Sequence, residues 1–460
     1  MALTADLGPG SRAAALSAMS THEVDVLVVG SGVVGAGVAL DAVSRGLSTA
    51  LVEQRDFASG TSSRSSKLVH GGLRYLEMFD FGLVREALEE RGLLLTRLAP
   101  HLVRPVPFLY PLHRTRERPY VGAGLVLYDA MAMAGKYEMG VPKHRHLFRR
   151  QVARMAPDLR TDELTGAIRY YDCQVDDARL VMNIARTAAA YGAHVASRTK
   201  VTGFLRDGPS TGSGQAKVCG ARIRDLENDI DLEVRAKVVI NAAGVWTDEI
   251  QELVGGRGAL HVQASKGVHI VVPRDRIRSE TGFITKTEKS VLFVIPWGRH
   301  WIIGTTDTAW NLDLAHPAAS RADIDYILGH VNTLLKDPLD REDVEGVYAG
   351  LRPLLVGESE ATSKISREHT VVAPVPGLVL IAGGKLTTYR VMARDAVDVA
   401  ARSLEDGVRS SITERVPLLG AHGFETRTNQ RAAIARASGL DLARIDHLLG
   451  RFGGMVDELI

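Results

Sequence analysis

Gly30-Ser31-Gly32-Val33-Val34-Gly35 restricts the fold more than any other stretch of this 460-residue chain. It follows a short, almost wholly apolar run, Val24 to Val29, of the kind that fits a buried parallel strand covered on both faces. An Ala/Val-rich stretch from Val33 to Ser44 reads as a helix and Leu47 to Val52 as a second strand, which together make a βαβ unit. In that setting Gly30 permits a tight turn, Gly32 lets the backbone approach a pyrophosphate, and Gly35 allows close helix–strand packing. The helix N-terminus adds unpaired N–H groups and a partial positive charge. Glu53 ends the second strand, 21 residues after Gly32, where a carboxylate can bond both ribose hydroxyls. A glycine fingerprint alone is weak. Flanked by both strands and the acid, it predicts a bound dinucleotide without separating FAD from NAD.

The chain is too long for one core, and two domains with a third small piece are expected. Asp177 reads as the N-cap of a helix from Ala178 to Tyr191, followed by Gly192 and a strand around His194 to Phe204. Residues 207–215 can bury nothing and form a loop or hairpin tip. Val218 to Ile223 and Leu232 to Val234 look like strands of a small meander, and Val238 to Ile240 leads into Asn241-Ala242-Ala243-Gly244. From 261 to 305 the character changes. Val268 to Val272, Val291 to Ile295 and Trp301 to Ile303 are strand-like and separated by turns, which predicts an antiparallel sheet inserted into the first domain. Leu378 to Ala382 gives one more buried strand, ending in Gly383-Gly384 before a helix from Leu386 to about Ala401.

The expected fold class is therefore α/β, a Rossmann-type domain carrying an inserted antiparallel-sheet domain. Residues 23–72, 155–258 and 350–405 are assigned to the nucleotide-binding part and 73–154 and 259–349 to the substrate part. Residues 406–460 are read as a helical C-terminal piece. Residues 1–22 read as a disordered tail, since the apolar run Ala13 to Leu16 falls short of a signal peptide.

Composition works by exclusion. The formal net charge of +2 gives no reason to expect nucleic acid. Cys173 and Cys219 lie 46 residues apart and outside any CxxC motif. That argues against a metal site or a disulfide framework and for a reducing compartment. No run approaches the about 18 apolar residues of a transmembrane helix.

Residues 57–76 hold six hydroxyl side chains and two cations before a Gly pair. Following the ribose acid, this stretch can run along a cofactor's phosphates and flavin; a solvated loop is the plain alternative. Here the chain closely resembles the FAD-dependent, quinone-linked glycerol-3-phosphate dehydrogenases of the aerobic type. The matching strings are Ser65-Ser66-Lys67-Leu68-Val69-His70-Gly71-Gly72-Leu73-Arg74-Tyr75-Leu76, Val175-Asp176-Asp177-Ala178-Arg179-Leu180 and Lys266-Gly267-Val268-His269-Ile270-Val271-Val272-Pro273. They continue with Phe293-Val294-Ile295-Pro296-Trp297, Ile303-Gly304-Thr305-Thr306-Asp307, Gly350-Leu351-Arg352-Pro353-Leu354 and Gly383-Gly384-Lys385-Leu386-Thr387-Thr388-Tyr389-Arg390. The wider fold resembles that of the glycine and D-amino-acid oxidases. The family's helical C-terminal domain is generally longer than the residues left here, so the chain resembles a shortened member.

The resemblance implies oxidation of sn-glycerol 3-phosphate to dihydroxyacetone phosphate by hydride transfer to FAD, with electrons passed to a quinone. FAD contacts are expected from Gly30, Gly32, Gly35, Glu53, Thr61, Ser62, Ser63, Ser66, Lys67, Val201, Ala243, Gly244, Gly384, Lys385, Leu386, Thr387 and Thr388. Arg74, Arg352 and Lys385 are the cations that could meet a phosphate, and arginine suits it through its planar fork. His269 sits on an apolar strand and, read alone, is a core histidine; the resemblance makes it the leading general base. An unperturbed pKa of about 6.5 suits that role. Tyr75 is expected to orient substrate. Lys385, read as opening a helix, is expected to set that helix's N-terminus toward the flavin.

Two other readings stay open. One is an oxidase of the same substrate that makes hydrogen peroxide, and the other is a flavin-binding protein without turnover. Residues 101–150 carry nine Lys/Arg against three Asp/Glu and include the apolar stretch Val121 to Met133. Such a segment can rest on an anionic bilayer or pack as an ordinary domain helix. A cytoplasmic protein, peripheral on the inner face of the cell membrane and able to form a homodimer, is the corresponding expectation.

Overall fold

A computed structural model describes residues 5–76, 78–208, 216–255, 259–288, 291–356, 369–404 and 407–460. The apolar runs form one sheet with the order His369–Val375, Leu378–Gly383, Ile230–Asn241, Val24–Val29, Thr49–Val52, His194–Ala196. Its central pairs are parallel, with Val26 opposite Val238 and Thr49. Val26, Leu27 and Val28 are fully buried, because helices or a second layer cover both faces. Helix Val33–Ser44 packs against helices Asp177–Ala190 and Tyr389–Ala401.

Strands Thr199–Asp207, Lys217–Asp225 and Ile230–Asn241 form the expected meander. The last runs unbroken from the meander into the parallel sheet, so Leu232–Val234 and Val238–Ile240 belong to one strand. The expected strand His194 to Phe204 is instead two, His194–Ala196 and Thr199–Asp207. Of the polar loop 207–215, residues 209–215 lie outside the described residues.

The N-terminal segment corrects the expectation of a disordered tail. Pro9–Thr21 is a helix that buries Arg12, Ala15, Leu16 and Met19. These positions repeat at i, i+3, i+4 and i+7, one helical stripe that a search for a continuous apolar run passes over. Arg12 forms a buried ion pair with Asp225 and donates from Nε to the Ser197 carbonyl at 2.8 Å.

Among the described residues, a second sheet of ten strands has as its main path Thr308–Ala309, Val262–Pro273, His300–Gly304, Val291–Trp297, Gly282–Lys286, Arg104–Leu112, Gly166–Gln174, Leu68–Val69. Gly346–Leu355 pairs along the other side of Val262–Pro273, over ten rungs. The sheet is antiparallel as expected, except where Gly282–Lys286 runs parallel to Arg104–Leu112. Two strands assigned to the nucleotide part belong here, Leu68–Val69 and Gly166–Gln174, and so do residues 350–355, the end of strand Gly346–Leu355. Strand pairing joins segments far apart in sequence, and hydrophobic runs do not reveal which sheet they join. Helix Arg321–Asn332 covers this sheet through Ile327, Leu328 and Val331. Helices Phe424–Asn429, Arg431–Ser438 and Leu442–Phe452 make the C-terminal region around Ile434, Ile445 and Leu449.

Candidate active site

The fingerprint turn is built by steric necessity. Gly30 has φ +96°, and a Cβ on Gly35 would sit 1.8 Å from the Gly30 carbonyl oxygen. The helix then starts at Val33, whose N–H donates to the Ser62 hydroxyl at 2.9 Å. Glu53 is buried, and its two carboxylate oxygens accept the backbone N–H groups of Ser31 at 2.8 Å and Arg55 at 2.9 Å. Burial outweighs those hydrogen bonds and raises its pKa.

A cavity of about 540 Å³ opens over this turn, within the range of small-molecule sites. Gly30, Gly32, Glu53, Thr61, Ser62, Val201, Ala243, Gly244, Gly384, Lys385 and Leu386 all line it. A carboxylate, an N–H-rich helix start and a lysine lining one cavity suit a nucleotide with a pyrophosphate and an electron-rich ring. Gly35 acts from behind, through packing. Ser63, Ser66, Lys67, Thr387 and Thr388 are not among the lining residues. Arg55 and Trp246 are, with the guanidinium carbon 5.6 Å from the ring centroid. Their pairing spans nearly 200 residues and carries no local signal.

His269 and Arg352 meet on the second sheet. Strand Val262–Pro273 sets His269 opposite Tyr348 and Ser265 opposite Arg352, four residues apart on each strand and hence on one face. The rung between them pairs Gly267 with Gly350. A Cβ on Gly267 would fall 2.6 Å from the Arg352 guanidinium, and one on Gly350 would fall 2.4 Å from the Arg64 carbonyl oxygen. This bare rung is covered by the Arg352 guanidinium, the Thr305 hydroxyl and the Arg64 backbone, so it draws the cation toward His269 and admits the 61–67 loop to the sheet. Gly304, opposite His269, makes room for the imidazole, since a Cβ there would lie 2.4 Å from its ring.

His269 is 2% exposed and stacks on Tyr348 with centroids 4.8 Å apart. Its Nε2 is 2.9 Å from the Ser66 hydroxyl, and Nδ1 has no hydrogen-bond partner among the described residues. Burial, then Arg352 and Lys67, push its pKa down to about 3, far from the unperturbed value expected from sequence. Arg352 donates to the Thr305 hydroxyl at 3.0 Å and the Thr306 carbonyl at 3.2 Å, with Asp307 at 3.6 Å.

Lys385 and Tyr75 form a second pair, the ammonium lying 3.9 Å from the ring centroid. Lys385 does not open a helix as expected. The helix starts at Tyr389, after Thr388, because the left-handed Gly383 and Gly384 lead into a turn rather than straight into helical backbone. Arg74 lies on the turn Leu73–Leu76, its side chain outside the described parts. The segment 61–76 joins the two pairs: Ser66 touches His269 and Tyr75 touches Lys385.

Three supports under this segment were not expected. The Gly71 N–H donates to the Tyr128 hydroxyl at 2.9 Å, and that hydroxyl donates to Asp172 at 2.7 Å. Arg91, wholly buried, holds the same carboxylate at 2.8 Å. Thr387 Oγ1 accepts from the His70 N–H at 3.1 Å. Arg390, from helix Tyr389–Ala401, makes a buried bidentate pair with Glu90 of helix Phe81–Leu93, Nε to Oε2 at 2.9 Å. Asp177 also differs from expectation. Asp176 caps the helix, accepting from Arg179 N–H at 3.2 Å, while the Asp177 carboxylate turns to Ser65 and Lys67.

The chain is similar to known proteins. The FAD dependent oxidoreductase family matches residues 25–395. Glycerol-3-phosphate dehydrogenase 2 of Mycobacterium tuberculosis is 58% identical over 457 residues, 99% of this chain and 76% of that protein. The mitochondrial glycerol-3-phosphate dehydrogenase of Homo sapiens is 38% identical, covering 98% of this chain and 62% of that one. Among solved structures, the glycerol-3-phosphate dehydrogenase from Bacillus halodurans complexed with FAD matches with a TM-score of 0.79 at 33% identity, over 97% of this chain and 79% of that one. The chain belongs to the glycerol-3-phosphate dehydrogenase family of FAD-dependent oxidoreductases.

Proposed function

We propose that this chain oxidises sn-glycerol 3-phosphate to dihydroxyacetone phosphate and that the electrons pass on to a membrane quinone. FAD, when bound, supplies the hydride acceptor; the protein supplies binding, orientation and a place for the hydroxyl proton. The observation that carries the reading is that His269 and Arg352 share one sheet face, where the side-chain-free Gly267–Gly350 rung lets the Arg352 guanidinium lie over Gly267, two residues from His269. Arg352 is aimed by Thr305 and Thr306, and its fork suits a phosphate. Lys385 on Tyr75 offers a second fixed charge. Neutral His269, held by Ser66 through Nε2, takes the hydroxyl proton. The substrate named by relatives at 58% and 38% identity supports the same assignment.

Anaerobic addition of glycerol 3-phosphate to the holoenzyme tests the reading. The flavin's visible absorbance should bleach and return when a soluble quinone is added. A flavin that keeps its colour overturns it, and return of colour only under air, with peroxide, replaces the quinone by oxygen.

Contact with a bilayer is supported by helix Glu117–Ala134. Tyr120, Val126, Leu127 and Met133 lie exposed on it, and Phe79 and Phe81 lie exposed on a neighbouring segment that packs against it. Arg114, Arg116 and Lys136 flank the apolar surface. No described helix is long and apolar enough to cross a membrane. Binding to anionic vesicles, weakened by salt and absent with zwitterionic ones, is the expected result.

A further inference from the structure

Asp177 is the first residue of its helix and is fully buried, yet Asp176 already does the capping. Its carboxylate serves a turn 110 residues away instead. Oδ2 accepts from the Ser65 N–H at 3.0 Å and the Ser65 hydroxyl at 2.7 Å. Oδ1 accepts from Lys67 Nζ at 2.5 Å and from the Ala178 N–H at 3.0 Å. Lys67 has φ +57°, a conformation that costs a lysine energy and persists only when its surroundings hold it. The Val175 N–H holds the Lys67 carbonyl at 3.0 Å, and the Ser65 hydroxyl accepts from the Lys67 N–H at 3.0 Å. The turn is thus tied at both ends.

Ser66, between the tied residues, is the one whose hydroxyl lies 2.9 Å from His269 Nε2. Tyr348, stacked on the same imidazole, donates to the Ser65 carbonyl at 3.0 Å. Both groups that orient His269 therefore depend on a turn that Asp177 anchors. We infer that Asp177 is a positioning residue for proton transfer, holding Ser65-Ser66-Lys67 so that Ser66 and Tyr348 orient His269. The inference rests on His269 being the base, as proposed above.

Charge adds a second consequence. The charged groups that face His269 are Lys67 and Arg352, with Tyr348 stacked on it, and both cations disfavour its protonated form. Asp177 pairs with Lys67 and offsets one of them. Geometry and charge can be separated by substitution.

The test uses holoenzyme variants Asp177→Asn, Lys67→Met and the double variant. Stopped-flow flavin reduction is measured against pH, and the His269 ring nitrogens are followed by NMR. Asp177→Asn should slow reduction at saturating glycerol 3-phosphate about 10- to 100-fold with KM little changed, and should move the His269 ring resonances. The double variant, which removes the stranded cation, should reduce flavin faster than Asp177→Asn alone. Wild-type reduction in Asp177→Asn, unmoved ring resonances, or a double variant no faster than the single each overturn the inference. If Asp177→Asn does not fold, Lys67→Met decides: His269 should titrate at higher pH than in wild type, and an unchanged titration overturns it. A wild-type rate in His269→Gln would sink the base reading itself. Unmoved ring resonances together with a slow His269→Gln sink only the role of Asp177.

Discussion

The two halves of the site are built from different materials. At the fingerprint itself the cavity wall is backbone, one turn, one helix start and one strand end, all within residues 24–53, with side chains from 199–202, 242–253 and 381–386 closing it farther out. Around His269 the surface is made of side chains brought together from afar, with Ser66 203 residues from His269 and Lys385 more than 300 from Tyr75. A local backbone motif tolerates almost no added atom, whereas a side-chain constellation can lose one member and keep its fold. The nucleotide half should therefore fail all at once and the substrate half by degrees.

The sharpest way to break that contrast is Gly35→Val. With a Cβ already forced to 1.8 Å from the Gly30 carbonyl, the variant should purify without flavin. A normal flavin-to-protein absorbance ratio would remove the steric argument. His269→Gln should keep FAD and slow flavin reduction roughly 10²–10⁴-fold. Because burial, then Arg352 and Lys67, lower its pKa to about 3, His269 should stay neutral from pH 8 down to about pH 4. A ring titrating near pH 6.5 by NMR would contradict the buried site. Arg352→Ala comes next, with a loss of about 1.5–3 kcal/mol in substrate binding seen as a raised KM. Unchanged kinetics would move Arg352 out of the phosphate site.

The smallest effect should come from Arg12→Leu, far from either half, which should lower stability by about 1–3 kcal/mol without changing kinetics. Burial alone would raise the Asp225 pKa, but Arg12, Asn228 and the Glu227 N–H bring it down to about 2. A carboxyl depressed below its unfolded value of about 3.9 contributes stability above that pH and loses it as pH falls toward 2. Acid unfolding of wild type and variant should therefore converge below about pH 2.

What could be read from the sequence follows the same division. Gly30, Gly32, Gly35 and Glu53 were legible because their meaning lies in the neighbouring residues. The bare rung was not, although a glycine inside an apolar strand run is a signal of close approach that Gly267 carries openly. Asp176 and Asp177 compete for one cap, and spacing alone does not say which side chain turns away. The N-terminal helix shows its apolar stripe only when residues are taken at helical intervals. Arg390 ends one of the matching strings, but its partner Glu90 lies 300 residues away.

That last pair fixes a contact at a distance from itself. Helix Phe81–Leu93 follows the turn that carries Tyr75, and helix Tyr389–Ala401 follows Lys385, so the Glu90–Arg390 fork clamps the two roots of the Lys385–Tyr75 contact. The ammonium is held over its ring by the scaffold itself. Ordering that long side chain is a cost met during folding, which is what preorganisation means.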